Sequence, residues 1–210
     1  VSRSSAKVMA TVALVLAASG CGAAATTGGA ASAPAPQNSP VRTPNPADVR
    51  FMTGMIHHHA QALAMAAMAE THDASPAIRT LAERITVSQK DEIALIQLWL
   101  ADHGLPVPEP SPTGMRMTAG GAEHDMLMPG MLTPEQMAEL DRARGREFDR
   151  LFLAYMIQHH DGALTMVEEL FASYGGGVDD FIYKFANDTF ADQGSEIDRM
   201  QRMLESMETP

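Results

Sequence analysis

From Pro46 onward apolar residues recur three or four positions apart, and no segment alternates strictly between apolar and polar. That spacing is helical, because about 3.6 residues make a turn and bring i, i+3, i+4 and i+7 onto one face. Start and stop signals then divide the stretch. Asn45-Pro46 combines a capping side chain with a first-turn proline and predicts a helix running to about His72. Ser75-Pro76 opens a second helix, which ends near His103-Gly104 ahead of Pro106. Thr133-Pro134-Glu135-Gln136 has capping-box form and opens a short helix, interrupted near Gly145. A long helix follows to about Tyr174, Gly175-Gly176-Gly177 breaks it, and a last one runs from Val178 to about Met207.

An internal repeat organises these helices. Residues 55–65 align with residues 156–166, and seven of the eleven positions are identical: Met-Ile-x-His-His-x-x-Ala-Leu-x-Met occurs in both. Upstream, Asp48 and Phe51 match Asp149 and Phe152. Downstream, Gln89, Glu92, Ile93, Gln97 and Leu100 match Gln193, Glu196, Ile197, Gln201 and Leu204. Each repeat is therefore a helical hairpin. The expected fold is all-α with no sheet: a ferritin-like four-helix bundle of two repeated hairpins, joined by one long crossover at about 104–132. A pseudo-twofold axis should bring His59 and His160 to the same core.

The repeat also selects candidate ligands. On a helical wheel Asp48, Met52, Met55 and His59 share the apolar face of the first helix, His58 and Met65 lie together at its edge, and His57 lies opposite. In the second copy Asp149, Met156 and His160 are central, His159 and Met166 share the edge, and the opposite position is Gln158. The inward histidines are kept and the outward one is replaced. The expected metal ligands on the helices are thus His58, His59, His159 and His160, with Asp48, Asp149, Met52, Met55, Met65, Met156 and Met166 beside them. The alternative is purely architectural: Asp48 bonds His59, Asp149 bonds His160, and the pairs only fix packing.

Composition sharpens the chemistry. The chain holds sixteen methionines, eight histidines and one cysteine in 210 residues. Met115, Met117, His124, Met126, Met128 and Met131 cluster in the crossover, among Gly and Pro. Thioether and imidazole donors suit Cu(I), whereas Mg and Ca want oxygen. The expectation is a flexible loop forming a soft, exchangeable copper site, with a more rigid site in the bundle; the alternative is an apolar loop lying over the helices. The paired histidines alone could equally hold zinc. A formal charge of −11 argues against nucleic acid and against polybasic contact with anionic lipid. No Glu-x-x-His pair of a di-iron bundle occurs, nor a nucleophile motif, a phosphate-binding Gly loop or Cys-x-x-Cys.

The N-terminus reads as a leader. Arg3 and Lys7 precede an apolar run at 8–18, too short to span a bilayer. It ends in Ala18-Ser19-Gly20-Cys21, which resembles a bacterial lipobox with Ala18 where Leu is usual. The expected organisation is a signal peptide at 1–20, a lipidated Cys21, an Ala/Gly/Pro tether at 21–44 and a domain at 45–208. The alternative is a plain secretory signal with an incidental cysteine.

The doubled Phe-x-x-x-Met-Ile-x-His-His-x-x-Ala-Leu-x-Met, from Phe51 and again from Phe152, resembles the domain of unknown function 305 family, as does the Met-rich stretch before Thr133-Pro134-Glu135-Gln136-Met137. The resemblance implies a bacterial ferritin-like domain and, from some relatives, periplasmic copper binding and copper tolerance. The functional expectation is an exported, lipid-anchored protein that buffers or hands over Cu(I) without catalysis. Alternatives are a metal-dependent oxidoreductase, such as one oxidising Cu(I), or a metal-free envelope interaction domain.

Overall fold

The computed structural model describes residues 43–119 and 122–208; the leader, Cys21 and nearly all of the tether lie outside them. The elements are α1 (Pro46–Met68), α2 (Pro76–Asp102), β1 (Met115–Ala119), β2 (Ala122–Met126), α3 (Pro134–Arg142), α4 (Gly145–Ala172) and α5 (Asp180–Glu208). The helix starts follow the expected caps. Asn45 Oδ1 accepts the amide of Ala47 at 2.8 Å, and Ser75 Oγ accepts that of Ile78 at 3.4 Å. Thr133 and Gln136 form the reciprocal capping box. α1 stops one turn before the expected end, because residues 69–73 turn toward α2 with Asp73 at φ 54°.

α1/α2 and α4/α5 are the two hairpins, and the bundle is all-helical as expected. Its apolar interior forms two separate clusters. One joins the C-terminal half of α1 (Met65, Ala66) to the start of α2 (Ile78, Leu81, Ile85), the start of α4 (Phe148, Phe152, Met156) and the end of α5 (Ile197, Met200). The other joins the start of α1 (Phe51, Met52, Met55) to the end of α2 (Ile96, Trp99), the end of α4 (Ala163, Met166, Leu170) and the start of α5 (Ile182, Phe185). α1 and α4 therefore run antiparallel. Between the clusters, at mid-height, each of the four hairpin helices contributes polar residues: His58 and His59, Gln89 and Glu92, His159 and His160, Gln193 and Glu196.

The crossover departs from expectation. Instead of a flexible loop it carries a two-stranded antiparallel hairpin, so the expected absence of sheet is corrected. Met115 pairs with Met126 and Met117 with His124. It is also tightly packed: Met128, Met131 and Leu132 are buried. Four of the positions where the two repeats differ hold it. His57 Nδ1 accepts the Ser111 amide at 3.3 Å, and Gln61 bonds Pro112 and both backbone groups of Leu132. On α4 the matching residues are Gln158, which donates to Gly130 O at 3.2 Å, and Gly162, whose missing side chain lets the backbone of Pro129 and Gly130 lie against the helix. His57 points away from the bundle core, yet it is buried under this strap.

Candidate metal centre

The mid-height layer begins where α1 and α4 cross. The rings of His58 and His159 lie against each other with centroids 3.8 Å apart. His58 Nε2 donates to Pro129 O and His159 Nε2 to His58 O, both at 3.0 Å. Their neighbours reach outward to the partner helix of each hairpin: His59 Nε2 bonds Glu92 Oε2 at 2.5 Å, and His160 Nε2 bonds Glu196 Oε2 at 2.8 Å. The imidazoles are fully buried, while the glutamate side chains are 16% and 19% exposed. Burial pushes His58 down from 6.5 to about 3, helped by the charge of His59. Burial likewise holds His159 well below its ordinary value, with His58 and His160 adding to it. Asp192, on α5, is raised by burial and by the charges of Glu92, Asp188 and Glu196.

The layer holds unsatisfied groups. The Nδ1 atoms of all four histidines, and both amide atoms of Gln89 and of Gln193, are buried without a hydrogen-bond partner among the described residues. Such a group costs about 1–3 kcal/mol each when nothing meets it. Among the described residues, no three His, Cys, Asp or Glu side chains surround a common point that could hold an ion.

Asp48 and Asp149 are not partners of these histidines, which corrects the pairing expected from the wheel. Asp48 Oδ1 accepts the amide of Gly177, in the α4–α5 turn, at 2.7 Å. Asp149 accepts the amide of Ser75, in the α1–α2 turn, at 3.1 Å. Each clamps one hairpin's first helix to the other hairpin's turn. Burial raises Asp48, and the Gly177 bond opposes the rise. Met52, Met55, Met65 and Met156 fill the two apolar clusters.

The methionines of the crossover meet elsewhere. Met115, Met117, Met126 and Met128 line a groove of about 830 Å³, together with Met166 of α4 and Phe51 of α1. Met117 and Met126 are 39% and 42% exposed. His124 stands opposite Met117 in the ladder. Gly54 leaves space for two of the thioethers: a Cβ there would lie 3.1 Å from Met128 Sδ and 3.3 Å from Met166 Cε. Met131 lies behind the groove, where its Sδ accepts the Met128 amide at 3.3 Å. The structure thus gathers five of the expected ligands at one opening. Glu92 and Glu196 were missed as site residues, although their repeat in the second half of each hairpin was the signal that could have found them.

Comparisons with known proteins agree with this architecture. The model of the family described as domain of unknown function, DUF305, matches residues 48–204. No curated protein matches the chain. A solved DUF305 protein from Streptomyces coelicolor, provisionally described as secreted, is 27% identical, with 77% of this chain and 93% of that one covered and a TM-score of 0.63. A DUF305 fragment from Deinococcus radiodurans is 29% identical, covering 77% and 97%, with a TM-score of 0.62. CopM in its Cu(I)-bound form is 25% identical, covering 77% and 97%, with a TM-score of 0.58, and CopM is also known with Cu(II) and with silver bound.

Proposed function

The chain belongs to the DUF305 family, and from that premise we propose that it is an exported copper-binding protein whose soft, exchangeable site is the methionine groove. The observation that carries this reading is the convergence of Met115, Met117, Met126, Met128 and Met166 on one opening. Thioethers are weak ligands for hard cations and good ones for Cu(I). Exposed Met117 and Met126 give an incoming ion its first contacts, while Met128 and Met166 offer thioethers deeper in the wall. The likeness to CopM supports a metal of this class. The buried histidines of the mid-height layer form a second donor set, rigid where the groove is open.

Export and anchoring belong to the same proposal. Residues 1–20 serve as a signal peptide and Cys21 carries lipid, so that the domain is held by its tether on the outer face of the cell membrane. Among the described residues no helix is long and apolar enough to cross a membrane. Replacing Cys21→Ser should move the protein from the membrane fraction to the soluble fraction; unchanged membrane recovery refutes the anchor. Competitive Cu(I) titration of the full-length protein tests the groove. Met117→Leu with Met126→Leu should weaken Cu(I) binding at least tenfold and leave stability within about 1.5 kcal/mol, since the swap conserves volume. Unchanged Cu(I) affinity in that variant refutes the groove as the site.

A further inference from the structure

Five of the eleven aromatic residues are exposed, and all five lie between 171 and 190: Phe171, Tyr174, Phe181, Tyr183 and Phe190. The other six are buried, except half-buried Tyr155. Packing of the bundle does not call for this, since a helix needs only its inward face to be apolar. Four of the five, with exposed Val178, gather at one end of the molecule. Phe171 lies near the end of α4, Tyr174 and Val178 stand in the turn, and Phe181 and Tyr183 open α5. Phe171 meets Tyr183 with ring centroids 5.8 Å apart, and Phe181 stacks on buried Phe185 at 6.2 Å, so the rings are braced rather than loose. Single apolar residues on a surface are ordinary; a group of them marks a contact. The same turn receives the start of the domain. Asn45 Nδ2 donates to Tyr174 O at 3.1 Å, and a Cβ at Gly176 would lie 3.3 Å from that of Ala47. The chain leading back to Cys21 therefore joins the domain beside the aromatic group. Cys21 precedes Asn45 by 24 residues, a reach of at most about 80 Å.

We propose that Phe171, Tyr174, Val178, Phe181 and Tyr183 form a membrane-docking face, which seats the domain on the zwitterionic surface of the bilayer that holds the lipid of Cys21. The docking rests on the anchored reading of Cys21 and is independent of any metal. Phe and Tyr suit the boundary between headgroups and acyl chains, where the rings leave water and the tyrosine hydroxyls stay wet. No Lys or Arg occurs between 171 and 183, and Asp179 and Asp180 stand among the rings. Attraction to anionic lipid therefore plays no part, which selects a neutral surface. Asp179 is occupied as the cap of α5, where its Oδ1 accepts the amides of Phe181 and Ile182 at 3.0 and 3.1 Å. Five side chains on one turn are few beside the about 800 Å² that each partner buries in a standard protein interface. They suffice for a lipid surface to which the chain is already tied, because the anchor makes the contact intramolecular and raises its effective concentration. The methionine groove, whose wall includes Ala172 and Ser173, lies at this same end. Docking thus fixes which end of the bundle stands next to the bilayer.

The test is hydroxyl-radical footprinting of the full lipidated protein in phosphatidylcholine vesicles, compared with Cys21→Ser protein free of lipid. Oxidation of Tyr174 and Tyr183 should fall roughly fivefold on the vesicles, since a docked ring sits at the headgroup boundary. Tyr155 and Met203, which pack on the apolar cluster of the other end, should keep their rates. Tyr174→Ser with Val178→Ser touches only exposed positions. That variant should stay on the vesicles through its lipid and return Tyr183 to near its lipid-free rate. If it does not fold, the wild-type footprint decides alone. Unprotected Tyr174 and Tyr183 in vesicle-bound wild type overturn the docking, as does protection of Tyr183 that survives the double substitution in a folded variant. Protection that appears without vesicles and grows with protein concentration assigns the face to a second copy of the chain and overturns it too. Protein that does not stay with the vesicles refutes the anchor and the docking together. Protein that stays with its rings unprotected refutes the docking alone, so the two failures are told apart.

Discussion

Gly162→Ala should unfasten the strap that covers the bundle. A Cβ at Gly162 would lie 2.0 Å from Pro129 O, 2.4 Å from Pro129 C and 2.5 Å from Gly130 Cα. These are backbone atoms, which cannot rotate away, so the strap must lift. Lifting it removes the acceptor of His58 Nε2, a cost of about 1–3 kcal/mol for a stranded buried donor. Overpacking adds about 1–3 kcal/mol, and the better helix propensity of alanine returns about 1 kcal/mol. The net expectation is a loss of about 1–5 kcal/mol. Gly194→Ala in α5 is the control, because a Cβ there meets nothing within 4 Å. It should stabilise by about 0.5–1 kcal/mol. Urea unfolding followed by circular dichroism measures both. Equal stability of Gly162→Ala and wild type, or matching losses in the two variants, would refute the close approach as the reason for glycine at 162.

Stability should fall in acid. His58 and His159 have folded values below their ordinary one, so the unfolded chain binds more protons; stability is full above pH 6.5 and declines toward about pH 3, by up to about 1.4 kcal/mol per pH unit for each histidine. Denaturant midpoints that do not change between pH 7 and pH 4.5 contradict this. Asp48→Ala and Asp149→Ala should each cost about 1–3 kcal/mol by stranding the Gly177 and Ser75 amides. The double variant should be additive within about 0.5 kcal/mol, because the clamps share no partner; strong coupling in thermal melts argues against two independent clamps. His59→Ala should destabilise the metal-free protein by leaving the Glu92 carboxylate without its imidazole, and the partner mutation Glu92→Ala in the same background should recover part of the loss; no recovery by calorimetry would mean that the pair is not coupled.

Much of this was legible in the sequence, and the failures have physical causes. Caps, proline positions and the repeat placed the helices, because each signal is local. The strap hairpin was not legible: Met-Arg-Met-Thr-Ala and Ala-Glu-His-Asp-Met contain almost no β-branched residues, and the surface that holds the strap is built from the outward positions His57, Gln61, Gln158 and Gly162 of the helices it crosses. Those positions looked unimportant because the wheel was read against the bundle alone. The Asp48–His59 pairing fails on helical rise, since eleven residues at 1.5 Å separate them by about 16 Å along one axis. The true partners, Glu92 and Glu196, sit 33 and 36 residues from their histidines, so the pairing depends on hairpin register. The repeated Gln-x-x-Glu carried the information without saying what it faced.

Copper-edge X-ray absorption on the full-length protein loaded with one equivalent of Cu(I) tests the central claim most directly, because it identifies the atoms bonded to the ion. Thioether ligation by the groove predicts sulfur in the first coordination shell, and a clear loss of that sulfur signal in Met117→Leu with Met126→Leu. A shell of nitrogen and oxygen alone would contradict the account.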